Sequence, residues 1–241
     1  MKALFKQTGH EQDEAHWLSI SDLMAGLMMV FLFISIALMR DAFSQKNKME
    51  AERDTMKKVA IAYENNQVAI YNALNHEFKK DLSKWDASIN EKTLTFTFQS
   101  PDVLFKTGKI DLSSTYKNLL NDFFPRYLKV LKPFQSSISE IRIEGHTSSV
   151  WNRHSTPEAA YFNNMALSQG RTRSVLAYVY NLPGSYAYRG WIKSHIAAVG
   201  LSSSKPIYLA TGKEDRARSR RVSFRVMTNA DIQIKRILEA G

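Results

Sequence analysis

The sequence of 241 residues contains no cysteine, which excludes a disulfide framework and a thiolate metal site. Its six histidines do not show the spacing of zinc ligands. No nucleophile motif and no glycine-rich phosphate loop is visible either. We therefore expect neither an enzyme nor a protein with a bound cofactor or metal.

Charge is scarce in one stretch of the chain. No charged residue occurs from Leu23 to Met39, whereas the residues that follow are mostly polar. A helix over Leu18–Met39 would measure about 33 Å, which is enough to cross the hydrocarbon core of a bilayer. The apolar run is longer than the core of a signal peptide, and no small-residue cleavage site follows it. We expect an uncleaved membrane-spanning helix at residues 17–40, preceded by an N-terminal tail at residues 1–16.

The distribution of lysine and arginine bears on the orientation of this helix. Lys2 and Lys6 precede it, and a larger basic group follows it, made up of Arg40, Lys46, Lys48, Arg53, Lys57 and Lys58. Taken alone, the positive-inside rule would place the C-terminal part in the cytoplasm, although large domains translocate regardless of charge. The net charge of +10 favours an acidic partner, and composition leaves nucleic acid, anionic lipid and cell-wall polymer open.

Asp22 is the single charged residue in the opening turns of the apolar run. A charged side chain inside a bilayer costs about 3 kcal/mol, so such an acid is expected to face a protein interior and to serve pairing or ion movement. Alternatively, Asp22 lies at the membrane interface and caps the helix, in line with Ser19 and Ser21 before it. The residues alone leave both interpretations open.

Residues 41–84 contain neither glycine nor proline and are rich in helix-forming residues. A row with a period of seven runs through Ala42, Met49, Met56, Tyr63 and Ile70, with a weaker companion row at Ala60, Gln67 and Leu74. This pattern predicts a helical linker with a loose coiled-coil seam suited to a homodimer. A solvated single helix that acts only as a spacer is the alternative.

Strands and helices alternate from about residue 85 onwards. TLTFTF alternates apolar residues with threonine, and three further strands are predicted at ISEIRIEGH, HIAAVG and RRVSFRVM. We expect an α+β sandwich over residues 85–229, with a sheet covered on one side. A short C-terminal helix is predicted at residues 230–241.

Two helices of this region have recognisable ends. Ser113 or Ser114 caps the first helix, which is predicted to end near Pro133 and to kink at Pro125. The second and longer helix begins after Thr156 with a proline in its first turn.

Four motifs in this region resemble the OmpA-like peptidoglycan-binding domain in their order and spacing. They are IRIEGHTSS, NNMALSQGRTRSVLAYV, AAVGLSSSKPI and RARSRRVSFRV, and the earlier VLFKTGKIDLSS is similar to the first part of that domain. The resemblance covers residues 93–227. It implies a sandwich of strands and helices that binds the peptide stem of peptidoglycan.

The resemblance also implies the residues of a peptidoglycan site. Asn164, Leu167 and Arg171 match the helix motif of the family, with Arg171 as the clamp for a stem carboxylate. Arg220 and Arg221 match the paired arginines before the last strand, of which one lines the site and the other supports it. A solvated helix arginine is the alternative for Arg171.

Two positions depart from the family pattern. Ser148 stands where the family has an aspartate that would hold the ammonium group of the stem, and serine offers only a neutral hydroxyl. Asn163 stands where the family often has tyrosine. Trp151 and Tyr161 are neighbouring residues on which binding could depend instead.

The layout as a whole resembles the MotB family of stator subunits, which combine one N-terminal span, a helical linker and an OmpA-like domain. WLSISDLMAGLMMVFLF is similar to the MotB span, and Asp22 matches the acid that takes up and releases the driving ion in that family. The resemblance implies a homodimer with a multi-span MotA-type partner in the bacterial inner membrane. It places the N-terminus in the cytoplasm and the wall-binding domain in the periplasm, although the count of lysine and arginine around the helix predicts the opposite orientation.

Within this class, SISDLMAGLMMVFLFIS and EGHTSSVW are more similar to the ZorB components of Zorya anti-phage systems than to flagellar MotB. This implies a proton-driven motor with a ZorA-type subunit as the multi-span partner. A flagellar-type stator and a passive tether of the OmpA or Pal kind are the alternatives. A nucleic-acid binder, suggested by the basic charge, is the least favoured interpretation, and we expect no direct contact with nucleic acid.

Overall fold

The computed structural model describes residues 8–99, 104–106 and 108–229. The chain divides into two compact units between Lys58 and Val59, and each unit is described by itself below. The predicted C-terminal helix at residues 230–241 lies outside the described residues, as do the first seven residues of the predicted tail.

Helix α1 (Thr8–Phe78) accounts for all of the first unit that the structure describes. No proline or glycine interrupts the chain after Gly26 until well beyond the end of this helix, which explains its length. Its apolar side chains between Leu23 and Met39 are exposed rather than packed against the chain. By length and composition, α1 is the one described helix that could cross a membrane.

The second unit begins with the last turns of α1. Ile70, Leu74 and Phe78 recur every four residues, so they share one face of the helix, and all three are completely buried in the globular core. The compact unit therefore starts at Val59, before the boundary predicted at residues 84 and 85. Ile70 and Leu74, which the heptad pattern had placed in a coiled-coil seam, are core residues of this unit.

A mixed five-stranded sheet forms the centre of the second unit. Its strands are β1 (Ala87–Asn90), β2 (Thr95–Phe98), β3 (Ile138–His146), β4 (Ile196–Gly200) and β5 (Arg221–Thr228), in the order β1-β2-β5-β3-β4. β3 and β4 are parallel, and the other neighbours are antiparallel. The four predicted strands are present, and the short β1, with its mixed polar sequence, was not predicted.

Four helices follow α1 in the described chain, namely α2 (Ser114–Leu131), α3 (Pro157–Tyr180), α4 (Arg189–His195) and α5 (Arg216–Ser219). The two predicted caps are confirmed, because Ser113 Oγ accepts from Tyr116 N at 3.0 Å and Thr156 Oγ1 accepts from Ala159 N at 3.2 Å. Pro125 lies inside α2, and the predicted kink there remains a prediction. Short 3₁₀ segments occupy Lys132–Ser137 and Pro183–Tyr188.

Two glycines allow α3 to lie directly on the parallel strands. A Cβ atom at Gly200 would lie 2.4 Å from the backbone nitrogen of Gln169, and one at Gly145 would lie 2.9 Å from the carbonyl oxygen of Ser168. Neither position has room for a larger residue, because backbone atoms of α3 occupy the space. This close approach fixes α3 against the ends of β3 and β4, where the candidate site lies.

Candidate functional site

Asp22 lies inside α1, fourteen residues after the helix begins at Thr8. It is therefore not an N-cap residue, and the capping interpretation of this acid is wrong. The side chain is exposed on the isolated chain, together with its apolar neighbours Leu23 and Met24. A lone carboxyl group on an otherwise apolar helix surface needs to face either protein or a water-filled cavity when it lies in a bilayer. Another chain could provide such an environment.

A cleft of about 210 Å³ lies in the second unit, where β3 ends and the first turns of α3 pass by. The residues that line it are Gly108, Thr147, Ser148, Val150, Trp151, Asn164, Leu167, Arg171 and Arg220. Five of the six residues predicted for a peptidoglycan site, Ser148, Asn164, Leu167, Arg171 and Arg220, thus come together in one place. Their role in binding remains a prediction.

Asn164 is buried and shapes the rim of this cleft. Its Nδ2 donates to the carbonyl oxygen of Ser148 at 3.1 Å and to that of Val150 at 3.5 Å. Both acceptors belong to the loop that leaves β3. Asn164 therefore positions the loop, and its amide nitrogen is engaged before any ligand arrives.

Arg171 is also buried, with 7% of its surface exposed. Its Nε donates to the carbonyl oxygen of Lys109 at 3.0 Å, and its guanidinium group lies 4.7 Å from the centre of the Phe105 ring. These contacts orient the planar group at the wall of the cleft, so the interpretation of Arg171 as a solvated helix arginine is wrong. Its Nη2 lies 3.5 Å from the carbonyl oxygen of Lys106, so these backbone carbonyls hold one edge of the guanidinium group in place.

The paired arginines have different environments. Arg220 lines the cleft, whereas Arg221 is not among the lining residues. Arg221 donates to the carbonyl oxygens of Ser219 at 3.0 Å and Lys205 at 3.2 Å, and burial lowers the pKa of its guanidinium group. Arg221 therefore holds the loop between β4 and α5 in place.

Two residues with hydroxyl groups line the same cleft as Arg171 and Arg220. Ser148 is 6% exposed and Thr147 is 4% exposed, and both line the cleft. Among the described residues, no partner is found for the buried Oγ1 atom of Thr147, and no hydrogen bond is formed by the Ser148 side chain.

Glu214 secures the other side of the same loop. Its carboxylate accepts from the backbone N–H of Ser149 at 3.0 Å and from the Ser149 hydroxyl. No sequence pattern predicted this contact, because 65 positions separate the two residues. Thr147 was also missed, although it belongs to the GHT segment of the recognised motif.

The two remaining aromatic candidates differ in position. Trp151 lines the cleft, and 39% of its surface is exposed. Tyr161 is not a lining residue, and its carbonyl oxygen accepts from the Ser202 hydroxyl at 2.6 Å. Of the two, Trp151 is the residue that a ligand in the cleft would meet.

A buried contact between a histidine and a glutamate lies on β3 just before the loop. His146 Nε2 is 3.6 Å from Glu144 Oε2. Burial lowers the pKa of His146, and the hydrogen bond to Glu144 only partly opposes this effect. Burial acts to raise the pKa of Glu144, but the contact with His146 and the charges of Arg225 and Lys205 outweigh it and lower that pKa. No cluster of three or more metal-ligating side chains occurs in the part of the chain that the structure describes.

Comparison with known proteins agrees with this geometry. The OmpA family model matches residues 104–220, the region that contains most of the cleft. A protein described as MotB-like from Desulfovibrio vulgaris shares the fold with a TM-score of 0.50, at 23% identity over 71% of this chain and 94% of that one. The periplasmic domain of Helicobacter pylori MotB also matches, with a TM-score of 0.43 and 15% identity over 64% of this chain and 89% of that one.

One relative is similar along nearly its whole length. The Zorya protein ZorB of Escherichia coli strain Crooks is 56% identical over 229 residues, which cover 95% of this chain and 94% of the relative. Both the apolar helix and the OmpA-type unit fall within a match of this extent. The chain is a member of the ZorB family.

Proposed function

We propose that this chain is the wall-anchored subunit of an ion-driven motor in the bacterial inner membrane, acting in anti-phage defence with a ZorA-type multi-span partner. The observation that carries the proposal is Asp22, which lies within the helix and is the one acid on an exposed apolar surface. A passive tether has no use for an acid there, because a charge in the bilayer is costly to insert.

The cleft supports the wall-binding part of the proposal. Peptidoglycan stems carry carboxylates, and Arg171, Arg220, Thr147 and Ser148 all line the cleft. Such a set of donors is complementary to a carboxylate. We expect the second unit to hold the stem peptide and thereby to anchor the complex against torque.

The membrane helix supports the partner and the homodimer. One helix with one acid does not enclose an ion path, so a multi-span subunit must supply the remaining wall. Met49 and Met56 of the predicted seam lie on α1 outside the membrane segment and are exposed on the isolated chain. These residues fit a seam between two copies that ends before Ile70 enters the globular core.

The proposed orientation places the N-terminus in the cytoplasm and the second unit in the periplasm. Peptidoglycan is reached only from that side of the membrane, and long domains cross regardless of their charge. The ion gradient supplies the free energy for rotation, since one charge that crosses the membrane potential releases about 2.3 kcal/mol per 100 mV.

The motor is tested by Asp22→Asn, which keeps the size of the side chain and removes its ability to ionise. We expect normal membrane levels, partner co-purification and wall binding, together with at least a hundredfold loss of phage protection in plaque assays. Asp54→Asn, an exposed acid of α1 outside the apolar run, is the matched control and should protect normally. Full protection by Asp22→Asn would leave only the tether.

Wall binding is tested separately by Arg220→Ala. Loss of one charge-assisted hydrogen bond of about 2 kcal/mol corresponds to about thirtyfold weaker retention on purified cell-wall sacculi. Arg216→Ala, which removes an exposed arginine four residues earlier, should bind normally. Unchanged retention of a folded Arg220→Ala protein would remove the cleft from the proposal.

A further inference from the structure

The cleft is lined by two separate segments near the end of β3. The first is the loop that follows β3, residues 147–151, which contributes Ser148, Val150 and Trp151 to the lining. The second is the segment just before β5, which contributes Arg220. The position of one segment relative to the other therefore sets the shape that a ligand meets.

Glu214 connects these two segments. Its carboxylate accepts from the backbone N–H of Ser149 at 3.0 and 3.3 Å, and it also accepts from the Ser149 hydroxyl. Ser149 lies between two lining residues of the loop, and Glu214 shortly precedes Arg220 in the chain. The contact therefore ties the loop to the segment that carries Arg220.

The segment that carries Glu214 has a fixed position of its own. Residues 207–215 form a short antiparallel hairpin. The backbone N–H of Ile207, at the start of this hairpin, donates to the hydroxyl of Ser219 at 2.9 Å, and Ser219 is completely buried. Because Ser219 is next to Arg220, the hairpin and Arg220 are held together.

The loop is also held from two other directions. Thr147 N donates to the carbonyl oxygen of Ser202 at 2.9 Å, which attaches the start of the loop to the segment after β4. Asn164 on α3 donates to the carbonyl oxygens of Ser148 and Val150. The contact with the hairpin adds a third direction, so the loop has a defined place between three elements.

Resting on the wall-binding function proposed above, we propose that Glu214 is a positioning residue for wall binding, which acts through Ser149 and sets the shape of the cleft. Glu214 is not among the residues that line the cleft. It lies between AAVGLSSSKPI and RARSRRVSFRV, at a position that the motifs do not mark. Ser149 is exposed and Glu214 is half-buried, so the contact contributes little to the stability of the core.

The charge of Glu214 and its position lead to opposite expectations. Loss of a negative charge near the cleft favours an acidic ligand by electrostatics alone. Loss of the acceptor for Ser149 releases the loop and weakens binding. Glu214→Ala removes the charge and the acceptor, whereas Glu214→Gln removes only the charge, because its amide oxygen can still accept from Ser149. The two variants thus separate geometry from charge.

The test measures retention of the full chain in detergent on purified cell-wall sacculi. We expect Glu214→Ala to bind about tenfold more weakly and Glu214→Gln to stay within about threefold of the wild type, because a cleft that is no longer preorganised must be ordered on binding. Glu64→Ala, which removes an exposed glutamate of α1 in the same unit, is the matched control and should bind normally. Unchanged retention of Glu214→Ala, or equal weakening in the alanine and glutamine variants, overturns the inference.

Ser149→Ala tests the same contact from the other side, and it stays informative if Glu214→Ala does not fold. It removes the hydroxyl but keeps the backbone N–H, so we expect a smaller loss of about threefold. The double variant should bind no more weakly than Glu214→Ala, because both substitutions break one contact. Wild-type retention of Ser149→Ala, or additive losses in the double variant, would contradict the proposed route through Ser149.

Hydrogen exchange distinguishes a displaced loop from a general loss of structure. Glu214→Ala should speed exchange of the amides at residues 147–151 and leave those of β3 unchanged. Faster exchange in both would assign the effect to the fold rather than to the position of the loop. If the wild type is not retained on sacculi, the wall-binding function itself fails. If it is retained and Glu214→Ala behaves like it, only the role of Glu214 fails.

Discussion

The two units of this chain use the same apolar residue types in opposite ways. In the first unit, Leu23, Phe31 and their apolar neighbours are exposed along α1. In the second unit, Phe96, Phe123 and Phe224 are completely buried. The difference shows that composition alone does not distinguish the units. A continuous run of apolar residues predicts burial in lipid or in a partner, whereas alternation with polar residues predicts burial in the chain's own core.

Charged residues follow the same division. Asp22 has only apolar or small neighbours along its helix, whereas Arg126 in the second unit contacts three carboxylates, those of Glu77, Asp81 and Asp122. The charge of Arg126 is thus satisfied within the globular unit. The apolar helix leaves its acid to be satisfied by another molecule, which is what a subunit of a larger complex requires.

The largest change in stability that separates the two units is expected from truncating an aromatic side chain in the core of the second unit. Phe123 packs against Phe96 at 4.7 Å and Phe98 at 5.0 Å between ring centres. Phe123→Ala should lower the free energy of unfolding of the second unit by about 3–5 kcal/mol, measured by urea denaturation of the full chain in detergent. Phe31→Ala, an exposed residue of α1, should leave this transition unchanged. Equal effects would mean that both rings lie in one cooperative core.

A smaller effect is expected at Arg126. Its Nε lies 2.7 Å from Glu77 and its Nη2 lies 2.9 Å from Asp81, so it joins the end of α1 to α2. Arg126→Ala should cost about 1–3 kcal/mol in the same denaturation experiment, because it removes a partly buried charge from several hydrogen bonds. Lys46→Ala removes an exposed pair with Glu50 at 3.8 Å and should cost less than about 0.5 kcal/mol. A neutral Arg126→Ala would show that this contact does not stabilise the unit.

The smallest effect concerns pH and distinguishes the buried from the exposed histidines. Because the pKa of His146 is lowered in the folded state, the unfolded chain binds the proton first, and stability falls as the pH drops below about 6.5. The lowered pKa of Glu144 removes further stability as the pH falls below 4.5. Urea midpoints at pH 7.5, 6.0 and 5.0 should therefore decrease in that order.

His146→Gln should flatten this dependence between pH 7.5 and 5.0. His154→Gln is the control, since His154 is exposed, and it should retain the wild-type slope. A wild-type slope in His146→Gln would assign the acid sensitivity to other groups.

Local signals account for what the sequence could predict. The caps at Ser113 and Thr156 depend on residues within three positions, and the strand ISEIRIEGH coincides with β3 because its alternation is strong. Five of the six site residues come together because the motif order reflects the order of the elements around the cleft. The caps and the strand need no knowledge of distant contacts, whereas the site residues were predicted from the family resemblance.

Distant contacts account for what the sequence could not predict. The boundary of the second unit depends on the packing of Ile70 and Leu74 against strands and helices that occur later in the chain. Arg220 and Arg221, at the start of β5, are adjacent in sequence. Only the structure shows that Arg221 contacts the Lys205 carbonyl oxygen whereas Arg220 lines the cleft. Strand β1 is four residues long and pairs through its backbone with β2, which leaves little trace in its side chains.

The hydrogen bonds of Asn164 affect the conformational entropy that ligand binding in the cleft would cost. Because this side chain already holds the loop through the carbonyl oxygens of Ser148 and Val150, the loop does not have to become ordered when a ligand enters the cleft. Binding to a preorganised cleft loses little conformational entropy, so most of the interaction energy contributes to affinity. For the wall-binding role proposed above, a cleft whose shape is set before binding favours firm attachment.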